Sequence, residues 1–222
     1  IDEAIECFNN HFERKSKIGI LVDTDPDGVC SATIMFNYIK YLDCEYPVYL
    51  IIHKSNKAHG LQSKDFDIED DTKLIICPDS STNDIDECQQ LIESGIEVII
   101  ADHHAKSDNR ENPAIVLNNQ TSNRYYNKHA CGAHITWDFI RALDDYYWTD
   151  YSDSCLDLVA LANISDNMNI TSISTRATIN IGLSDIKNKM FNSIIESQEF
   201  SMKGIATPHT VSFSVTPLIN AF

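Results

Sequence analysis

The sequence predicts an α/β fold, a doubly wound, mainly parallel sheet flanked by helices. Three observations predict it. Short apolar runs alternate with segments of helical periodicity, as repeated strand-helix units require. With 222 residues, 43% of them hydrophobic, the chain can build one large α/β domain or two small ones. Four apolar segments also end in carboxylates: 18–22 runs into Asp23, 74–77 into Pro78-Asp79, 96–100 into Ala101-Asp102, and 158–164 into Ser165-Asp166. A parallel sheet brings strand ends to one edge, where open α/β folds bind their ligands.

Taken in order, residues 2–14 read as a helix with Ile5, Phe8 and Phe12 on one face. A strand follows at 17–22, then a helix at 28–43 with Ile34, Tyr38 and Tyr41 near helical spacing. Strands are expected at 46–53 and 73–77, separated by an acidic loop at 65–71. Residues 83–93 predict a helix with Asn83-Asp84 as its N-cap. A strand at 96–101, a polar loop at 106–112 and a short strand at 114–117 come next. Helices are expected at 129–147 and 154–163. Beyond Thr171 the pattern turns helical, most clearly at 185–197, and 207–222 reads as a loop leading elsewhere. The division expected is a main domain over 1–170 and a helical extension over 171–222.

The net charge is −16, from 33 acidic and 17 basic residues. This argues against a protein that coats duplex DNA by charge, but not against a nucleic-acid enzyme, because a metal cleft itself needs carboxylates. No run is long and apolar enough to span a bilayer, and no signal peptide opens the sequence. The chain begins at Ile1 rather than Met, as expected if its natural start lies upstream. Seven cysteines, an odd number without CxxC pairs, favour a reducing, cytoplasmic setting over a disulfide framework or zinc ribbon.

Ala101-Asp102-His103-His104 is the most specific motif. An acid and two imidazoles at the end of a buried strand are costly unless something uses them. Asp and His are ligands for Mn²⁺, Mg²⁺ or Zn²⁺. Adjacent histidines point differently, so one can ligate a metal while the other meets a substrate phosphate. The competing reading is a pair of surface histidines. In Asp23-x-Asp25-x-Asp27-Gly28, alternate residues on extended backbone face one side, so Asp23 and Asp25 can converge on a metal. Gly28 permits a tight turn, and Asp27 either binds metal or caps the helix. A solvated acidic turn is the alternative. An EF-hand is not supported, because its twelfth position is Ile34.

Asp79 alone would be a turn residue or cap; between two cations it would be a bridge. Asp166 suits a final ligand at a crowded site, against the plainer reading of a helix C-terminal turn. Gly132, in Cys131-Gly132-Ala133-His134, can bring backbone N–H groups to a phosphate or serve close helix packing. His53, His59, His129 and Asn118-Asn119-Gln120 read as structural or solvated.

Together these pieces resemble the DHH phosphoesterase superfamily, and within it the RecJ-like exonucleases. The order matches: Asp23 to Gly28, then Asp79, then Asp102-His103-His104, then Asp166. Gly132 and the following helix are similar to the family's Ser-Gly-Ala-Gly stretch, with His134 for the second Gly. Pro217-Leu218-Ile219-Asn220-Ala221 resembles the Pro-Arg-Leu-Asn-Ala run that follows the RecJ core, with Leu218 in place of Arg.

The resemblance implies a catalytic core over 1–170, and two divalent ions, usually Mn²⁺ with Mg²⁺ as substitute. Asp79 would bridge them, Asp23 would hold the first, and Asp25, His103 and Asp166 the second. His104 would contact the scissile phosphate or protonate the leaving oxygen, with Asp27 and Asp102 in catalytic support and Gly132 and Asn220 contacting substrate. Leu21 stands where many members carry a His, leaving the first ion one ligand fewer.

The implied activity is 5′-to-3′ hydrolysis of single-stranded DNA, in DNA repair and recombination, with single-stranded-DNA-binding or replication proteins as partners. A substrate-binding domain would follow Phe222. Two alternatives are a DHH phosphodiesterase or pyrophosphatase acting on short oligonucleotides, cyclic dinucleotides or pyrophosphate, and a non-catalytic replication scaffold. The retained acids and His103 argue against the scaffold.

Overall fold

In the computed structural model, residues 1–55, 58–107 and 109–221 are described. Residue 108, within the polar loop expected at 106–112, and Phe222 lie outside them. Five strands form one sheet: β1 (Lys17–Val22), β2 (Val48–Ile52), β3 (Thr72–Pro78), β4 (Glu97–Asp102) and β5 (Ile115–Asn118). Their order is β2-β1-β3-β4-β5, and every pairing is parallel.

The middles of the central strands are apolar because both faces are covered there. Ile18, Ile20, Leu74, Ile76 and Ile99 pack into one core with helices α1 (Asp2–Glu13), α2 (Pro26–Leu42), α4 (Gly132–Tyr147) and α5 (Leu156–Ser165). Leu21, Ile51, Ile75, Cys77, Val98 and Ile100 face the other way, toward Leu61 and Cys88 of α3 (Ile85–Glu93). The two-residue alternation of side chains along each strand makes the two faces.

This topology places the site. From β1 the chain crosses to β2 on one side and then back to β3 on the other. The ends of β1 and β3 are therefore neighbours at the point where the crossovers diverge, the crevice used for ligands in such sheets.

Several boundaries differ from expectation, each for a local reason. Helix α2 begins at Pro26 rather than residue 28, because Asp25 takes the N-cap and accepts a 2.9 Å bond from the Gly28 N–H. Asp27 therefore lies inside the first turn and is not the cap. At α3 the N-cap position is Asp84, but no side-chain capping bond forms. Its carboxylate instead accepts the Leu61 N–H at 2.7 Å. Helix α4 begins at Gly132, not residue 129.

The clearest correction is the C-terminal stretch read as loop. It is helical in short turns over Pro208–Thr210, Val211–Val215 and Thr216–Ile219. A Thr207–Thr210 capping box opens it, and Val211 and Val215 are fully buried in the core that contains Ile18 and Ile20.

Helix α6 (Ile173–Ser184) lies against α5 at Gly182, where an added Cβ would collide with the Leu156 carbonyl and approach the Ala160 Cβ to 2.7 Å. Gly182→Ala is therefore expected to destabilise the fold by about 1–3 kcal/mol, the range for overpacking a tight contact, read as a lower Tm. Among the described residues no helix is long and apolar enough to cross a membrane. All seven cysteines are free thiols, six of them buried.

Candidate metal centre

Four segments bring carboxylates and imidazoles to the crevice. Asp23 leaves β1, and its side chain is almost fully buried. Asp79 leaves β3 with φ 62°, a left-handed conformation uncommon outside glycine, while its N–H donates to the Ala101 carbonyl at 2.8 Å. Unusual backbone held this way is characteristic of functional sites. Asp102 ends β4, and Asp166 caps the C-terminus of α5.

The ligating atoms fall into overlapping sets, each within 4.8 Å of one another: Asp23, Asp25 and Asp79; Asp27, His103 and Asp166; and Asp79, His103 and His104. His103 Nε2 lies 3.3 Å from Asp79, 3.6 Å from Asp166 and 3.7 Å from Asp27. The structure thus groups Asp25 with Asp23 and Asp79, and puts Asp27 beside His103 and Asp166, where the sequence reading had Asp25. The helix explains the exchange. Alternation holds for Asp23 and Asp25, but from Pro26 the backbone is helical and turns Asp27 toward α4.

Asp27 accepts 2.8 Å bonds from the Gly132 and Ala133 N–H groups, so the anion sits on the N-terminus of α4. The Gly132 N–H, for which a phosphate contact was the expectation, donates to Asp27 here. Gly132 is required for another reason: a Cβ there would collide with the Asp79 side chain. Asn220 ends the last helical turn, exposed, with its N–H bonded to the Thr216 carbonyl at 3.1 Å. No described hydrogen bond joins its side chain to the centre.

Asp102 is occupied entirely by orientation. One oxygen accepts the His103 N–H at 2.7 Å, the His104 N–H at 3.1 Å and His104 Nδ1 at 2.7 Å; the other accepts the Thr82 N–H at 3.1 Å. Burial opposes its charge, but the His104 bond and the remaining donors hold the carboxyl well below its usual range. In return Asp102 lifts His104 to about 9 against the effect of burial.

Asp79 behaves oppositely. Burial, then the charges of Asp27, Asp25, Asp102 and Asp23, push its carboxyl well above the ordinary range. Burial also raises Asp166; Asp27 and Asp25 add to this and His103 opposes it.

Two buried carboxylate oxygens, Asp23 Oδ1 and Asp79 Oδ1, have no hydrogen-bond partner among the described residues. Buried polar atoms are seldom left so unless an ion or water serves them. Carboxylate oxygens with imidazole nitrogen suit Mn²⁺ or Mg²⁺, so the residues fit a divalent metal.

One contributor escaped the sequence reading. His59, in the loop after β2, bonds Asp23 Oδ2 through Nδ1 at 2.7 Å. Position 21, where the family resemblance led us to look for an imidazole, is a fully buried core leucine. The only sequence signal was a histidine beside glycine in a polar loop. His53 is buried and bonds Ser63 Oγ at 3.0 Å.

Comparison with known proteins identifies the family and the fold. A candidate SPbeta prophage-derived single-strand DNA-specific exonuclease, YorK of Bacillus subtilis (strain 168), is 35% identical over 221 residues, covering 100% of this chain and 38% of that protein. The single-stranded-DNA-specific exonuclease RecJ of the same organism is 27% identical over 224 residues, covering 99% of this chain and 28% of RecJ. The chain thus spans well under half the length of either relative. The crystal structure of exonuclease RecJ bound to manganese superposes with a TM-score of 0.80 at 21% identity, covering 99% of this chain and 56% of that one. The profile of the DHH family, N-terminal domain, matches residues 17–163. With that match over most of its length, on a RecJ-like parallel α/β fold, the chain belongs to the DHH family.

Proposed function

We propose that the protein hydrolyses phosphodiester bonds of single-stranded DNA from the 5′ end, in the cytoplasm, using two divalent ions, Mn²⁺ or Mg²⁺. The observation that carries this reading is Asp79. It is buried, has an oxygen without a hydrogen-bond partner among the described residues, and belongs both to the Asp23–Asp25 set and to the His103–His104 set. Asp23, Asp25 and Asp79 would hold one ion; Asp27, His103 and Asp166 would hold the other, with Asp79 between. When bound, such a pair neutralises phosphate oxygens and activates water.

The chain's own residues supply the rest. Asp102 fixes His104 through Nδ1, leaving Nε2 for the substrate. The Asp102 carboxylate favours the protonated form of His104, which can then donate a proton. As water oxygen bonds to phosphorus and the bond to the 3′ oxygen breaks, that proton passes to the leaving oxygen. The names of the relatives support single-stranded DNA as substrate.

The test is digestion of 5′- and 3′-labelled single strands with Mn²⁺, with EDTA and duplex controls. Mononucleotides released from the 5′ end are expected, with little action on duplex, because a net charge of −16 repels a stiff polyanion. Faster hydrolysis of pyrophosphate, cyclic dinucleotides or short oligonucleotides than of long strands would redirect the substrate. A folded, Mn²⁺-loaded protein inert on all of them would support a scaffold instead.

A further inference from the structure

We propose that His59 is a positioning residue that holds Asp23 in the orientation needed to receive the first ion. The inference rests on the metal-centre reading above and adds a residue to it.

The loop carrying His59 is fastened to the site on both sides. Thr24 Oγ1, between Asp23 and Asp25, donates to the Ala58 carbonyl at 3.4 Å. On the other side the Leu61 N–H donates to Asp84 at 2.7 Å and to Ser81 Oγ at 3.1 Å, in the turn that follows Asp79. Between these anchors Gly60 adopts φ +60°, and a Cβ there would collide with the Asp84 carboxylate. The loop is thus tied to the turns after β1 and β3, and His59 is delivered between them.

What His59 does there follows from the atoms of Asp23. An aspartate carboxylate rotates about χ2 over a broad well. His59 Nδ1 engages Oδ2, which fixes that rotation. The remaining oxygen, Oδ1, is buried without a hydrogen-bond partner among the described residues, and Asp23 groups with Asp25 and Asp79. The Nδ1–H tautomer of a neutral imidazole suffices for this bond. The arrangement repeats the neighbouring pair: His104 Nδ1 meets Asp102 at the same 2.7 Å, and the two imidazoles stand edge to face at 5.3 Å. One Asp–His pair orients a histidine; the other orients an aspartate. Hydrogen-bond partners of this kind typically change metal affinity about 10–100-fold when removed.

The test is Mn²⁺ titration by calorimetry and electron paramagnetic resonance on the wild type, His59→Ala and His59→Asn, with Asp166→Asn to identify the other site. His59→Ala is expected to weaken the Asp23 site by about 10–100-fold and leave the His103–Asp166 site unchanged. His59→Asn, whose amide can donate from nearly the Nδ1 position, is expected to restore part of the loss. Unaltered Mn²⁺ binding in His59→Ala would overturn the proposal, as would equal weakening of both sites. A wild type that binds no Mn²⁺ would instead overturn the metal-centre reading itself.

Discussion

Asp79→Asn is expected to abolish hydrolysis, by at least ~10³-fold or about 4 kcal/mol of barrier, while raising the Tm of the metal-free protein. The loss follows from position, because this carboxylate belongs to the sets on both sides of the centre. The gain in stability follows from charge. Burial and the surrounding aspartates raise the folded pKa of Asp79 above its unfolded value. Its favourable contribution is therefore complete below the unfolded value of about 3.9 and is lost as pH rises through the folded value. At neutral pH the metal-free wild type must either take up a proton here or bury the charge; asparagine does neither. The Tm difference between mutant and wild type should be largest at about pH 8 and shrink on acidification. Paired melts in EDTA across pH, with turnover in Mn²⁺, check both halves. A folded mutant that keeps its activity would remove Asp79 from the centre.

Much of this centre is visible in the sequence because strand burial and motif order are local properties. The apolar runs ending at Val22, Pro78 and Asp102 mark β1, β3 and β4, since central parallel strands must be apolar on both faces. What is not legible depends on contacts distant in sequence. His59 lies in a polar loop whose course is set by Asp84, Ser81 and Thr24, and no periodicity marks it. The exchange of Asp25 and Asp27 turns on where α2 begins. Pro26 after a capping acid was a readable signal for an earlier start, and it outweighs the extended alternation assumed there. The turns over residues 208–219 show the same point. Thr207-Pro208 is a readable helix start, but the pieces are too short for a helical stripe, and only packing of Val211 and Val215 reveals them. Gly132 was legible as a special position, but whether it serves a phosphate or makes room for Asp79 depends on a side chain 53 residues away.

Loading with Mn²⁺ should reverse the pH response of this protein. In the metal-free state Asp79 and Asp166 both have raised pKa values, chiefly through burial. A cation must therefore displace protons as it binds, and affinity should fall on acidification at higher pH than ordinary carboxylates near 4 would dictate. Calorimetry in two buffers of different ionisation enthalpy measures those protons directly. Stability follows by linkage: Mn²⁺ at about 100 times its dissociation constant adds about 2.7 kcal/mol, and this increment shrinks as pH falls. Asp102, whose pKa is depressed by His104 and its other donors, has the opposite sign, but its stabilisation is lost only below the unfolded value of about 4. The buried His53 and His134, with lowered pKa values, oppose folding in both states once pH falls below about 6.5. They enter both melts, so the difference between loaded and metal-free melts reports chiefly on the acidic centre together with His59 and His104, which are bonded to its carboxylates. A Mn²⁺ increment in Tm that is independent of pH from about pH 8 to pH 5, with no proton release, would mean that the cation binds elsewhere on this acidic chain.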